Sequence, residues 1–90
     1  MSERRMIRVT GRVQGVFFRA TAKEWAEALG LAGFAKNEPD GSVLLVVEGD
    51  PASLDRFVAW CQVGPPDAEV EGVEITVERP EGLSGFTVQR

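Results

Sequence analysis

The sequence predicts a small α/β fold of the α+β kind, in which an antiparallel sheet carries two helices on one face. Three observations lead to it. Apolar and polar residues alternate in several short stretches, two longer stretches carry apolar residues at helical spacing, and glycine or proline stands at every junction. The resulting order is β-α-β-β-α-β with a short extra C-terminal strand, the order of a ferredoxin-like sandwich. Ninety residues suffice for one core, so we expect residues 1–90 to form a single domain.

The first strand and the first helix are predicted from a change of apolar period. Apolar residues alternate with polar ones through residues 6–13, which is typical of a strand with one buried face. From Phe18 onward the apolar residues recur three and four positions apart, and Gly30 is a good helix stop. We therefore expect a strand, a short turn and an amphipathic helix.

A hairpin follows the first helix. Strands over residues 31–37 and 42–48 are joined by Glu-Pro-Asp-Gly at 38–41, where proline fixes one φ and glycine permits the positive φ that closes the turn. The second of these strands is apolar on both faces, which indicates a central position in the sheet.

Both ends of the second helix are marked by residues typical of helix starts and stops. Asp50 can cap it, Pro51 suits its first position, and Gly64 with two prolines ends it. Alternation then predicts a fourth strand at 73–77 and a short fifth strand at 86–88. In the second helix, the apolar residues predicted to face the core form an inward stripe of Leu54, Phe57, Val58 and Cys61.

The composition excludes several classes of function. The chain has no histidine and one cysteine, so common zinc sites, histidine-based proton transfer and an internal disulfide are excluded. The net charge of −4 argues against nucleic-acid binding. No apolar run approaches the roughly 18 residues of a membrane span, and the N-terminal residues lack the apolar core of a secretion signal. We expect a cytoplasmic protein that contacts neither nucleic acid nor membrane.

The junction between the first strand and the first helix carries the strongest functional signal. A helix start has unpaired N–H groups and a partial positive charge, so Arg19 in the opening turn costs about 0.3 to 1 kcal/mol unless an anion is bound there. Backbone N–H groups of residues 15–19 and the Arg19 guanidinium could converge on phosphate oxygens. The alternative for such a loop taken alone is a tight connection whose arginine reaches into solvent.

Two motifs remove much of that ambiguity. Residues 11–19 read Gly-x-Val-Gln-Gly-Val-x-Phe-Arg, and residues 33–43 read Gly-Phe-Ala-Lys-Asn-Glu-Pro-Asp-Gly-Ser-Val, followed by Gly49. In order and separation they resemble the two signatures of the acylphosphatase family. The resemblance covers essentially the whole chain and implies the same ferredoxin-like fold.

The resemblance also implies the roles of individual residues. Arg19 would bind and polarise a phosphoryl group, and Asn37 would position the hydrolytic water. Taken alone, an asparagine beside a Pro-Asp-Gly turn would be expected to bond its own backbone. The implied phosphate-binding loop consists of Gln14, Gly15, Val16, Phe17, Phe18 and Arg19.

The residues present favour direct attack by water. Cysteine phosphatases carry their nucleophile six positions before the arginine, where this chain has Val13, and Cys61 belongs to the inward stripe of the second helix. No general base with a pKa near neutrality is available, because histidine is absent and the nearby acids Glu38, Asp40 and Glu24 would repel a phosphate. We expect a phosphoryl oxygen to receive the proton of water.

These observations predict an acylphosphatase that cleaves a carboxyl-phosphate bond. The family resemblance implies acetyl phosphate, carbamoyl phosphate and 1,3-bisphosphoglycerate as substrates, and a small open cleft should discriminate poorly among acyl groups. We expect no cofactor, no metal and a monomer. The alternative is a phosphate-binding module, either an anion sensor or a partner domain like that of hydrogenase-maturation carbamoyltransferases. An RNA-binding domain would need exposed sheet aromatics and basic residues.

Overall fold

The computed structural model of the chain describes residues 2–89. The order of helices and strands is the predicted one. The elements are β1 (Glu3–Arg12), α1 (Phe18–Ala28), β2 (Ala32–Asn37), β3 (Val43–Gly49), α2 (Pro51–Cys61), β4 (Glu69–Glu78) and β5 (Phe86–Gln89).

The five strands form one sheet in the order β4-β1-β3-β2-β5. The first four strands of that order pair antiparallel, as predicted, whereas β5 lies parallel to β2 and makes the sheet mixed. The central position predicted for the all-apolar strand is confirmed, because β3 lies between β1 and β2 and is largely buried. The ferredoxin-like fold is therefore confirmed, with β5 added along the edge of β2.

The core lies between one face of the sheet and the two helices. Alternate residues of the strands, among them Ile7, Val9 and Leu45, are fully buried against both helices. Asp50 caps α2 by accepting a hydrogen bond from the Ala52 N–H, as predicted. Cys61 is completely buried, which confirms its packing role, and burial raises the pKa of its thiol.

Two strands extend beyond their predicted ends. β1 begins at Glu3 instead of residue 6, and β4 spans Glu69–Glu78 instead of 73–77. The two strands pair along nearly their whole length, with a register shift between Thr10 and Gly11. That irregularity and the charged residues at the strand ends break the alternation from which strands are recognised. Within residues 2–89, no helix is long and apolar enough to cross a membrane.

Candidate active site

The loop between β1 and α1 is anchored at two points. Val16 and Phe18 are 5% and 1% exposed, and the Phe18 ring lies 5.1 Å from that of Trp60. Gly15 and Phe17 both have positive φ, of 74° and 64°. The chain therefore turns sharply into α1 while two apolar side chains hold the loop to the core.

The beginning of α1 is not capped by a side chain. Phe17 occupies the N-cap position, it makes no capping hydrogen bond, and the first turn contains no acidic residue. No N–H group of residues 15–20 donates to an acceptor in the part of the chain from 2 to 89. Arg19 lies in the same turn, so backbone donors and a guanidinium are available to an anion at one place.

A cleft of about 360 Å³ opens at this helix end. It brings the loop, Arg19 and Asn37 together, although the two side chains belong to different elements. This proximity was predicted from the two motifs. The cleft is lined by Val13, Gly15, Phe17, Phe18, Arg19, Ala20, Asn37 and Val88.

Asn37 is the last residue of β2 and lies on the helix-covered face of the sheet, like the buried Ala35 two positions before it. Its Oδ1 atom is inaccessible to solvent and has no hydrogen-bond partner among the described residues. The adjacent turn is instead stabilised by Asp40, whose carboxylate accepts hydrogen bonds from the Ser42 N–H (2.9 Å) and Oγ (2.6 Å). Because buried polar atoms in folded proteins are nearly always hydrogen-bonded, this oxygen calls for a partner that the described residues do not supply.

Arg19 is oriented by the last strand. Its Nη1 donates to the main-chain carbonyl of Gln89 at 2.6 Å. Because β5 pairs with β2, this contact links the arginine to the strand that carries Asn37. Its other N–H groups have no acceptor among residues 2–89 and can donate to a ligand.

Two residues of the predicted loop do not line the cleft. The Gln14 side chain donates to the carbonyls of Glu38 (2.8 Å) and Ser42 (3.0 Å), so it connects the loop to the β2–β3 turn. Val16 is directed into the core. Their side chains therefore support the shape of the loop, and a role in phosphate binding would fall to their main-chain N–H groups.

Asp40, in the turn that follows Asn37, is not a base suited to neutral pH. Hydrogen bonds from the Ser42 hydroxyl and amide lower the pKa of Asp40, which also forms an ion pair with Arg8 at 3.0 Å. In the described part of the chain, no group of three or more His, Cys, Asp or Glu residues is placed to hold a metal ion.

The contribution of β5 was not predicted. Val88 lines the cleft and the Gln89 carbonyl accepts a hydrogen bond from Arg19, and neither contact is apparent from the sequence. A main-chain carbonyl leaves no residue-type signature, and a strand of four residues gives too short a pattern to place it in the sheet.

Comparisons with known proteins show which family the chain belongs to. The family model described as Acylphosphatase matches residues 5–88. An acylphosphatase of Gloeobacter violaceus is 50% identical over 82 residues, which are 91% of this chain and 88% of the relative. The structure of an acylphosphatase from Coxiella burnetii superposes with a TM-score of 0.94 at 38% identity, over 98% of this chain and 93% of that one.

The fold also occurs inside longer proteins. HypF of T. kodakarensis matches 98% of this chain at 29% identity with a TM-score of 0.85, but this chain covers only 12% of HypF. The binding-module alternative is not favoured, because the relatives that match over most of both chains carry the name acylphosphatase. Together with the fold and with the cleft that joins an arginine to an asparagine, these matches show that the chain is an enzyme of the acylphosphatase family.

Proposed function

We propose that this enzyme hydrolyses small acyl phosphates, such as acetyl phosphate, carbamoyl phosphate and 1,3-bisphosphoglycerate, by direct attack of water on phosphorus. One observation carries the mechanism: Asn37 Oδ1 is buried and has no protein partner within residues 2–89, in the same cleft as Arg19 and the uncapped helix end. An oxygen so placed is expected to accept a hydrogen bond from the attacking water.

The phosphoryl group would be bound by the loop. The N–H groups of residues 15–20 and the dipole of α1 favour a negative charge, and Arg19 adds a charge-assisted, two-pronged contact. Since the loop is anchored by Val16 and Phe18, these donors need little reorganisation during the reaction. The positive charge comes from the chain itself, so the proposal includes no metal ion and no cofactor.

Hydrolysis would then be a single in-line displacement. The water held by Asn37 forms a bond to phosphorus, the bond from phosphorus to the acyl oxygen breaks, and the carboxylate leaves with the electron pair. A phosphoryl oxygen takes the proton of water, so the products are a carboxylate and inorganic phosphate. A carboxylate needs no general acid to leave, which is consistent with the lack of a neutral-pH acid or base in the sequence.

The experiment is hydrolysis of acetyl phosphate in EDTA by the wild type, Arg19→Ala and Asn37→Ala. Lys36→Ala is the matched control, because it also removes a positive charge but its side chain lies on the opposite face of β2 from Asn37. We expect both site variants to lose roughly 10² to 10⁵ in kcat/KM while they remain folded, and the control to lose little.

Phosphate affinity separates the two roles. Arg19→Ala should weaken binding of inorganic phosphate much more than Asn37→Ala, because only the arginine is charged. Phosphate binding by the wild type without turnover of any acyl phosphate would favour the anion-sensor alternative. Equal losses of phosphate affinity in the two variants would contradict the division of roles.

The monomeric state, the cytoplasmic location and the single domain over 1–90 stay predictions.

A further inference from the structure

Gln14 lies in the loop between β1 and α1, and its side chain contacts the β2–β3 turn. Its Nε2 donates to the Glu38 carbonyl at 2.8 Å and to the Ser42 carbonyl at 3.0 Å, so both hydrogens of the amide are used. Among the residues that the structure describes, these are the only hydrogen bonds between residues 13–18 and residues 37–42.

The β2–β3 turn is closed without Gln14. The Glu38 carbonyl also accepts a hydrogen bond from the Gly41 N–H at 3.1 Å, and the Ser42 carbonyl accepts one from the Glu38 N–H at 2.9 Å. Loss of the Gln14 amide would therefore leave neither carbonyl without a donor, and the cost in stability would be small. The two hydrogen bonds of Gln14 need an explanation other than closure of the turn.

The sheet does not connect the loop directly to Asn37. β1 and β2 both pair with β3 and not with each other. The last row that joins the three strands consists of Val9, Val43 and Asn37, and past this row β1 pairs only with β4. The distance from the loop to Asn37 therefore depends on contacts beyond the end of β3, and the side chain of Gln14 makes the hydrogen-bonded ones.

We propose that Gln14 is a positioning residue, whose two hydrogen bonds hold Asn37 and its water in line with the phosphoryl group on the loop. This inference rests on the proposed function and deepens it. In-line displacement requires the attacking oxygen to lie opposite the leaving one, and a misplacement of about 1 Å can cost roughly a hundred-fold in rate. Gln14 acts on this alignment alone, because the main-chain N–H groups and Arg19 bind phosphate without its side chain.

The test is the separation of kcat from KM for acetyl phosphate in Gln14→Met. Methionine has nearly the same length as glutamine and has no hydrogen-bond donor. We expect kcat to fall about 10- to 100-fold through loss of alignment. KM and the affinity for inorganic phosphate should stay close to those of the wild type, because the groups that bind phosphate are unchanged. The urea midpoint of unfolding should fall only slightly.

Gln14→Glu gives a second readout, which also serves if Gln14→Met does not fold. The carboxylate has the shape of the amide but donates no hydrogen bond, and it gains one donor when protonated. The carbonyl oxygens that it faces, with the charges of Glu38 and Asp40 in the same turn, raise its pKa, and Arg8 beside that turn is already paired with Asp40. The kcat of Gln14→Glu relative to the wild type should therefore rise between about pH 7 and pH 5, whereas that of Gln14→Met should stay constant.

Thr21→Val is the matched control. The Thr21 hydroxyl donates to the Phe17 carbonyl at 2.8 Å, a hydrogen bond that joins the loop to α1 and not to the turn, and the same carbonyl accepts from the Thr21 N–H. This variant also loses one side-chain donor to a carbonyl, and its kcat should stay close to that of the wild type. A loss of kcat as large as that of Gln14→Met would mean that any loosening of the loop suffices, which would overturn the positioning role.

Two further outcomes would overturn that role and leave the proposed function standing. One is an unchanged kcat in Gln14→Met beside an active wild type. The other is a loss of phosphate affinity in Gln14→Met as large as its loss of kcat, which would make Gln14 a support of the binding loop alone. A wild type that binds phosphate but hydrolyses no acyl phosphate would overturn both proposals.

Discussion

Two places in this molecule bring together backbone N–H groups and an arginine, the groups that bind anions in proteins. In the segment between β4 and β5, the N–H groups of Glu81, Gly82 and Leu83 donate to the Glu48 carboxylate at 2.7 to 3.0 Å, and Arg4 adds an ion pair at 3.1 Å. At the start of α1, the N–H groups of residues 15–20 stand beside Arg19 without a protein acceptor in the described range.

The difference between the two places is whether the chain itself supplies an anion. Glu48 is only 6% exposed, and its carboxylate ties the β4–β5 segment to the centre of the sheet. A carboxylate from the chain makes the first arrangement structural, whereas the second leaves its donors for a ligand. Amides and an arginine together do not by themselves indicate a substrate site, and the test is whether the protein has already filled it.

The largest expected effect is the loss of stability when Arg4 is removed from the Glu48 carboxylate, the anion that the chain itself supplies. Arg4→Ala leaves the buried Glu48 carboxylate without its cation and should cost about 3 to 5 kcal/mol of unfolding free energy, measured by urea denaturation. Arg5→Ala is the matched control: its partners Glu3 and Asp55 are 31% and 72% exposed, so about 1 kcal/mol or less is expected. Arg19→Ala should change stability by less than either, and a loss as large as that of Arg4→Ala would erase the distinction between the two places.

Low pH should destabilise the protein at Glu48 by less than Arg4→Ala does, because a protonated carboxyl still accepts some hydrogen bonds. Burial alone would raise the pKa of Glu48, but the three backbone N–H groups and Arg4 outweigh it and lower the pKa below 4.5. The stabilisation is therefore complete above pH 4.5 and is lost as the pH falls through the lowered pKa.

The measurement is the unfolding free energy of the wild type and Glu48→Gln between about pH 3 and pH 7, the range in which carboxylates titrate. The glutamine variant should be less stable at neutral pH and should show a shallower decline in acid. Parallel curves for the two proteins would show that other carboxylates account for the acid sensitivity.

The two places differ in how far the sequence could predict them. The pairing of Arg19 with Asn37 was predicted because both residues belong to recognisable motifs and the turn chemistry places them at element ends. The Glu48 contacts span 33 to 35 residues and involve main-chain N–H groups, which carry no residue signature. For the same reason the hydrogen bond from Arg19 to the Gln89 carbonyl was not predicted. The full length of β4 was not predicted because the register shift opposite Gly11 interrupts its alternation.

Filling the second place with a carboxylate of the chain would make it resemble the first. Ala20 is exposed in the first turn of α1, so Ala20→Glu puts a negative charge among the free N–H groups. Affinity for inorganic phosphate, measured by calorimetry, should fall about 10- to 100-fold through repulsion, while the helix gains about 0.5 kcal/mol from its dipole. Ala28→Glu, at the other end of the same helix, should leave phosphate affinity unchanged and slightly destabilise the protein. Equal phosphate affinity in Ala20→Glu and the wild type would place the anion elsewhere.

The smallest effect compares one glycine from each place. Gly15 and Gly82 have φ of 74° and 82°, and a Cβ added to either meets no atom within 4 Å, so alanine at each should cost about 1 kcal/mol of stability from backbone strain alone. Gly15 lines the cleft, whereas Gly82 donates to Glu48. A methyl group on Gly15 would occupy space next to the phosphate donors, so Gly15→Ala should weaken phosphate binding several-fold and Gly82→Ala should not. If Gly15→Ala and Gly82→Ala lose similar stability but only Gly15→Ala binds phosphate less tightly, the two loops share a backbone requirement and differ in what binds there. Equal phosphate affinities in the two variants would show that Gly15 is not part of the phosphate site.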